Sequence, residues 1–371
     1  MTEADLPGLT RQILWAGFGL SVVFGAIAQR THFCTMGAVA DIVNFGDWRR
    51  MRMWVLAMGV AVVGFNAMVA LGWVRAADSL YGGAKFGWLS AVVGGLMFGF
   101  GMVLGSGCGS KTLVRIGAGN LKSLVVFVVL GLSAFATLKG LTAVARVATV
   151  DAVFATLPAG QDLPSLAAHA LGVPLPGAAL ALGLALGGAA IAWVLSRPEG
   201  RGGEVLAAGV GIGALVVAAW WVSGVLGHLA EHPVTLEDSF LATNSRRMEA
   251  LSFVSPIAYA LDWLMFFSDA GKLLTLGIVS AAGVIVGSAL QAFASGSFRW
   301  EGFRNVEDTA NHLVGAALMG IGGITALGCT IGQGLSGIST LALSSFVALA
   351  AILGGAVAAL RWQAWRIERA G

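Results

Sequence analysis

Residues 98–123 read FGFGMVLGSGCGSKTLVRIGAGNLKS, and residues 320–345 read GIGGITALGCTIGQGLSGISTLALSS. The two stretches are one pattern used twice. A Gly-rich apolar run leads into Gly107-Cys108 in one and Gly328-Cys329 in the other, a short Gly/Ser/Thr stretch follows, and a second apolar run begins about a dozen residues later. A looser third copy is FGAIAQRTHFCTMGA at 24–38, where Cys34 lies nine residues after Gly25, as Cys108 lies nine after Gly99. The stretches 109–118 and 330–340 are too short to cross a bilayer and too poor in charge for exposed loops. They are expected to be re-entrant half-helices, which lipid tolerates only where they line a cavity or pack in protein.

The runs flanking these breaks belong to a chain of 371 residues that is 57% hydrophobic and 11% charged, with 54 glycines. An ordinary soluble domain carries roughly 25% charged residues to solvate its surface, so that class is excluded. Glycine here accompanies Leu, Val and Phe, which indicates closely packed or interrupted membrane helices and not disorder. A membrane span needs roughly 20 apolar residues, and nine segments qualify, near 11–29, 53–74, 88–105, 121–138, 177–195, 203–225, 273–294, 311–327 and 341–360. The expected fold is all-α and integral to the membrane, with about nine transmembrane helices, inverted-repeat halves and short re-entrant helices carrying the cysteines. The N-terminus MTEADLPG is acidic where a secretory signal is basic, so the first span is expected to stay in the mature protein.

Nine spans put the termini on opposite sides. With the N-terminus outside, the inner segments hold 14 of the 22 Lys and Arg residues, the arrangement that the positive-inside bias favours. In that topology Cys108 follows a span ending inside and Cys329 follows one ending outside, so the two copies are antiparallel. Many secondary transporters are built this way, with the substrate site near the midplane between broken helices. The chain divides into an N-terminal transmembrane half (1–140, with the Cys34 and Cys108 breaks), connecting spans and external loops (141–270), and a C-terminal transmembrane half (271–371, with the Cys329 break). Both long connections, 139–176 and 226–272, fall outside. Their amphipathic stretches, such as SFVSPIAYALDWLMFF at 252–267, suit interfacial or half-inserted helices, with surface loop the default for most of each connection.

Three cysteines with no CxxC pair supply neither a disulfide framework nor a zinc ligand set. No cofactor, catalytic residue or metal site is expected, and nothing indicates nucleic acid. A single Cys in a membrane helix is usually a small apolar filler, but all three here sit in Gly-rich breaks, and three thiols far apart in sequence suit successive contacts better than redox exchange. Lys111 and Arg115, beside the second break, are candidates for attracting an anion. Arg49, Arg50 and Arg52 read as topology anchors, with Arg30 also at the inner face. His32, Asp41, His312 and Gln333 read as locally satisfied polar groups. Trp15, Trp48, Trp54, Trp73, Trp88 and Trp193 read as interfacial anchors.

The segments GSGCGSKTLVRIGAGN, GITALGCTIGQGLSGIST and RTHFCTMGA together resemble the YeeE/YedE family of bacterial membrane proteins, and THFCTMGAVADIVNFGDW is similar to its SoxT-like branch. The resemblance implies an inner-membrane transporter for thiosulfate, with a pathway lined by Cys34, Cys108 and Cys329. It implies also a small cytoplasmic TusA-like sulfur-carrier protein as a frequent partner. The substrate-binding set is then Cys34, Cys108, Cys329, Lys111, Arg115, Gly107, Gly109 and Gly328, the glycines letting backbone approach the ion. Thiosulfate is a dianion with one soft terminal sulfur. Neutral thiols can contact that sulfur, whereas thiolates would repel the charge. The alternatives are transport of another sulfur or selenium species, and a membrane sensor that binds a sulfur compound without moving it.

Overall fold

The computed structural model describes residues 5–233, 235–269 and 271–370, so Glu3 of the acidic N-terminus lies outside the described residues. The chain enters through α1 (Leu6–Arg30), followed by short α2 (Thr35–Phe45) and long α3 (Arg49–Ala70). Next come α4 (Trp88–Leu104), short α5 (Gly109–Gly117) and α6 (Leu121–Lys139). The first connection contains α7 (Leu141–Ala148) and α8 (Leu163–Leu171). A single span is assembled from α9 (Leu175–Leu182), a π-helical turn (Gly183–Gly187) and α10 (Gly188–Leu195), and α11 (Gly203–Trp221) returns. The second connection carries α12 (Ser255–Met265). The chain ends with α13 (Leu276–Ala294), α14 (Val306–Thr325), a π-helical turn (Gly332–Gly337) and α15 (Leu343–Ala370).

Every expected span coincides with a helix. Among the described residues eight helical stretches are long and apolar enough to cross a bilayer, two of them including the short helices α2 and α5. The ninth expected span is α14, whose first turns carry Glu307, Asp308 and His312 and so lower its hydropathy. The protein is a multi-pass helical membrane protein.

Glycine sets how these helices meet. A Cβ on Gly94 would touch Gly322 and Ala326, and one on Gly101 would touch Gly315 and Met319. Positions advance along α4 as they recede along α14, so the two helices leading to Cys108 and Cys329 run antiparallel in backbone contact. With no hydrophobic drive between helices in lipid, such small-residue seams supply the packing that holds spans together.

The second connection differs from its expected form. Leu251, Phe253, Val254, Ile257 and Ala258 are buried in the main core, and α12 packs against α6 and α13. Pro256 at the first turn starts the helix where its missing N–H costs nothing. The segment is a structural plug more than a surface loop. Trp54 is also corrected: it is 2% exposed and lies against Gly334 in the core, while Trp15, Trp48, Trp73, Trp88 and Trp193 remain on the surface.

Candidate functional site

The three breaks share one backbone design. Each span ends in a residue with left-handed φ two positions before the cysteine, namely His32 (φ 52°), Ser106 (φ 55°) and Leu327 (φ 57°). The next N–H then reaches back across the last turn: Phe33 to Ala28 O at 3.2 Å, Gly107 to Met102 O at 2.8 Å and Gly328 to Gly323 O at 2.8 Å. This is the Schellman ending, built here on residues other than glycine. Nine residues before each cysteine a glycine meets a neighbouring backbone. A Cβ on Gly25 would lie 2.2 Å from Val284 O, on Gly99 2.0 Å from Ile352 O, and on Gly320 2.5 Å from Leu130 O. The third copy, loose in sequence, is therefore equivalent to the others in structure.

Beyond each break a short helix begins at the cysteine. Cys34 is the N-cap of α2 and its Sγ accepts from Gly37 N at 3.4 Å. Cys329 repeats this contact with Gly332 N at 3.4 Å. Cys108 is the N-cap of α5, with its Sγ 3.2 Å from Ser110 Oγ. The thiols are free and buried, with 7%, 1% and 0% exposure for Cys34, Cys108 and Cys329. All residues from 328 to 342 are buried, as are six of the nine in α5. Both short helices are thus shielded by protein, which is the condition for irregular backbone at membrane depth.

Tertiary packing brings the breaks together more closely than their sequence spacing suggests. The side chains of Cys34 and Thr330 both approach the thiol of Cys108. Thr330 Oγ1 is buried without a hydrogen-bond partner. Of three thiols read as well separated, Cys34 and Cys108 are therefore neighbours, and Thr330, the residue after Cys329, approaches Cys108.

Lys111 and Arg115 extend from α5 over Gly107, whose Cβ would lie 3.0 Å from Lys111 Cγ and 3.8 Å from an Arg115 terminal nitrogen. Any side chain at Gly107 would displace Lys111. Lys111 lies near both Cys34 and Cys108, and neither cation makes an ion pair among the described residues. Gly109 starts α5 in ordinary contact with Phe253, whereas Gly328 is tight against Gln333 Cγ at 3.2 Å. Nearby, Arg50 pairs with Asp41 at 3.3 Å.

Two cavities lie beside Leu327, just before Cys329. One, of about 190 Å³, is lined by Tyr81, Arg146, Glu249, Ser252 and Tyr259, among others. The other, of about 140 Å³, includes Lys85, Arg146, Asp151 and Gln333. Arg146 lines both. It pairs with Asp151 at 3.0 Å while its Nε is buried without a hydrogen bond. Sequence reading missed Arg146, Glu249 and Thr330. Thr330 follows a cysteine directly and could have been noted, but Arg146 and Glu249 sit in connections with no motif around them.

Gln333 and His312 are held locally, as read. Gln333 donates to Ala326 O and accepts from Ser345 Oγ at 2.6 Å, and His312 contacts Asp308 through its backbone oxygen at 2.7 Å. Arg52 departs from the anchor reading. It is 8% exposed and donates to the carbonyls of Trp193 and Val194. Among the described residues no group of three or more His, Cys, Asp or Glu side chains is placed to hold a metal ion.

Bilayer-length helices enclosing three buried, cysteine-capped breaks define a multi-pass membrane protein with a polar interior at the helix breaks. The chain belongs to the sulphur transport family, the YeeE/YedE family, whose model matches residues 30–358. It is 25% identical over 347 residues to a thiosulfate transporter, TsuA, of Spirochaeta thermophila, covering 91% of this chain and 94% of that protein. It is 27% identical over 329 residues to the TsuA of Escherichia coli, covering 87% of each. A probable transporter, YedE, of Escherichia coli is 30% identical over 123 residues, which is 33% of this chain and 27% of that protein.

Proposed function

We propose that the protein carries thiosulfate into the cell across a bacterial inner membrane, with the N-terminus periplasmic and the C-terminus cytoplasmic, and that it belongs to the SoxT-like branch of its family. The observation that carries this reading is the meeting of three thiol-capped short helices beside two cations, Lys111 and Arg115, that make no ion pair among the described residues. Helix N-termini present free N–H groups and the positive end of the helix dipole to an anion. The thiols offer weak, polarizable contacts to the terminal sulfur of thiosulfate, so the ion is held at each point without being trapped.

In this mechanism the dianion enters from the cavities around Arg146, passes the break at Cys329 and Thr330, and reaches Cys108 and Cys34. Lys111 and Arg115 then draw it toward the cytoplasm. No bond to sulfur is made or broken, since contacts through neutral S–H groups are sufficient. Gly107 and Gly328 keep the backbone close to the ion. A TusA-like sulfur carrier would receive the product at the cytoplasmic face.

Uptake of labelled thiosulfate by liposomes containing only the purified protein tests the proposal. The wild type should accumulate the ion. Replacing Cys34, Cys108 and Cys329 together by alanine should abolish uptake in a protein that still inserts and elutes as one species. Full uptake by that triple variant would sink the thiol path. Binding without accumulation would reassign the protein as a sensor, and stronger competition by sulfite or a selenium oxyanion than by thiosulfate would change the substrate.

A further inference from the structure

A second site lies at the N-terminal end of α3, on the outer side of the short helix α2 that Cys34 caps. The turn from α2 to α3 and the turn from α10 to α11 together enclose a cavity of about 600 Å³ lined by Trp48, Arg49, Arg52, Trp193, Arg197 and Glu199, with Asp47 at its edge. Directly adjoining it is a groove of about 480 Å³ lined only by apolar side chains, including Val39, Val43, Met51, Val55, Leu353 and Val357. Trp48 and Trp193 line both spaces. Their rings meet edge to face with centroids 6.0 Å apart. One recess is charged, the other is wholly apolar, and a tryptophan pair marks the boundary between them.

The cationic groups of the cavity are incompletely used. Arg52 is 8% exposed and stacks over Trp193 with its guanidinium carbon 4.6 Å from the ring centroid. Its terminal nitrogen donates to Trp193 O and Val194 O at 3.1 and 3.2 Å. Its Nε is buried without a hydrogen bond, 4.0 Å from Glu199 Oε2. Arg197 is exposed and forms no ion pair or side-chain hydrogen bond among the described residues. Arg49 pairs with Glu204, and its N–H is bonded by Asp47 at 2.8 Å. The N-cap residue Trp48 makes no side-chain capping bond, and past the Asp47 bond to Arg49 N–H the first turn of α3 directs the positive end of a long helix toward the same recess. Glu204, Glu199 and Asp47 balance the three guanidinium groups in number, so what the recess offers an anion is the unpaired guanidinium of Arg197 and the unbonded Nε of Arg52.

We infer that this pair of recesses binds an anionic phospholipid, with its phosphate among Arg49, Arg52 and Arg197 and one acyl chain in the groove between α2, α3, α10 and α15. The tryptophan pair sits at the level where head meets chain, the depth that indole rings favour. Arginine suits a phosphate because its planar fork donates two bonds at once. A free phosphate would fill the cavity and leave the groove empty, and a soluble protein would leave an apolar groove at hydrocarbon depth uncovered. Only a ligand with a charged head and an apolar tail uses both.

The site has a structural consequence because the groove is walled by Val39 and Val43 of α2, the short helix that Cys34 caps. An acyl chain there fills the space between that helix and the neighbouring spans α10 and α15. The lipid therefore braces the element that positions the first thiol, independently of what ion the thiols meet.

Delipidated protein in detergent, titrated with phosphatidylglycerol or phosphatidylcholine and read by native mass spectrometry and thermal unfolding, tests the inference. Phosphatidylglycerol should stay bound and raise the unfolding temperature, and phosphatidylcholine and inorganic phosphate should do neither. Arg197→Gln, a surface change that leaves packing intact, should weaken retention of phosphatidylglycerol by about tenfold, the order of one charge-assisted hydrogen bond. Val43→Trp, which fills the groove and leaves the cavity, should weaken it as well. Arg246→Gln, in another connection, should leave it unchanged. Equal retention of the two lipids, or unchanged retention in both the Arg197 and Val43 variants, overturns the site. Stabilisation by inorganic phosphate to the same extent reduces it to a plain anion pocket, and stabilisation by a soluble acidic peptide without any response to phosphatidylglycerol assigns it to a soluble partner.

Discussion

Thr330 carries a buried hydroxyl that makes no hydrogen bond of good geometry and approaches the thiol of Cys108, a weak hydrogen-bonding group. Leaving such a group unbonded costs on the order of 1–3 kcal/mol, a cost that a purely structural position would shed. Thr330→Val, nearly isosteric, is therefore expected to raise stability by about 1 kcal/mol while lowering thiosulfate uptake. A loss of stability with unchanged uptake would show the hydroxyl to be structural. Lys111→Met keeps the stem over Gly107 but removes the charge, and should cut uptake at low substrate by about tenfold, one charge-assisted contact. Uptake at the wild-type rate would remove Lys111 from the path. Glu249, at the wall of the cavity of about 190 Å³ beside Leu327, is pushed above the ordinary glutamate range by burial, which the Ser245 and Asn244 hydrogen bonds only partly offset. A carboxyl with a raised folded pKa contributes stability at low pH that is lost as pH rises through that value. Glu249→Gln should abolish this decline, so that its thermal unfolding varies less between acid and neutral pH than that of the wild type. Parallel curves for the two proteins would show that Glu249 ionises as freely in the folded state as in the unfolded one.

At the scale of elements, the recurring unit is a helix end, a left-handed residue, a cysteine and a short helix. Its two occurrences at Cys108 and Cys329 were legible because the Gly-Cys pairs and the flanking apolar runs repeat in the sequence itself. The equivalence of the Cys34 copy was only partly legible. There the left-handed position is His32 and the residue before cysteine is Phe33, so the glycine signature is missing although the backbone is the same. Left-handed φ costs a residue with a Cβ roughly 1–2 kcal/mol. Ser106→Gly should relieve that strain and raise the unfolding temperature, whereas Ser106→Val should lower it. The opposite order would mean that the serine side chain contributes more than the backbone strain costs. Gly99 makes a second test, since its Cβ would lie 2.0 Å from Ile352 O. Gly99→Ala must push α4 from α15 and should cost about 1–3 kcal/mol of stability, the usual range for overpacking. The α12 segment was harder to read because its mixed composition fits an interfacial helix, a loop and a plug equally well. Burial of Phe253 and Ile257 depends on spans far away in the chain.

For the molecule as a whole, the directions of the packed helices are mutually consistent. Along α3 and α11 contacts advance together, from Leu56 with Gly209 to Gly64 with Val217, so these two spans run parallel. Between α3 and the α9–α10 span they run in opposite order, from Gly59 with Ile191 to Asn66 with Gly183. An activity reporter fused after the C-terminal helix is expected to register a cytoplasmic location, and a periplasmic signal would reverse the proposed orientation and the direction of the ion path. The sequence by itself determined that the chain lives in a bilayer, where its spans lie and that two breaks repeat, because hydropathy over one span and the spacing within one break are local properties. Only the tertiary structure decided that Cys34 and Cys108 are neighbours, that Thr330 approaches Cys108 and that Arg52 is buried beside a tryptophan. Those relations join residues dozens to hundreds of positions apart, and they are set by how closely glycine lets one helix approach another.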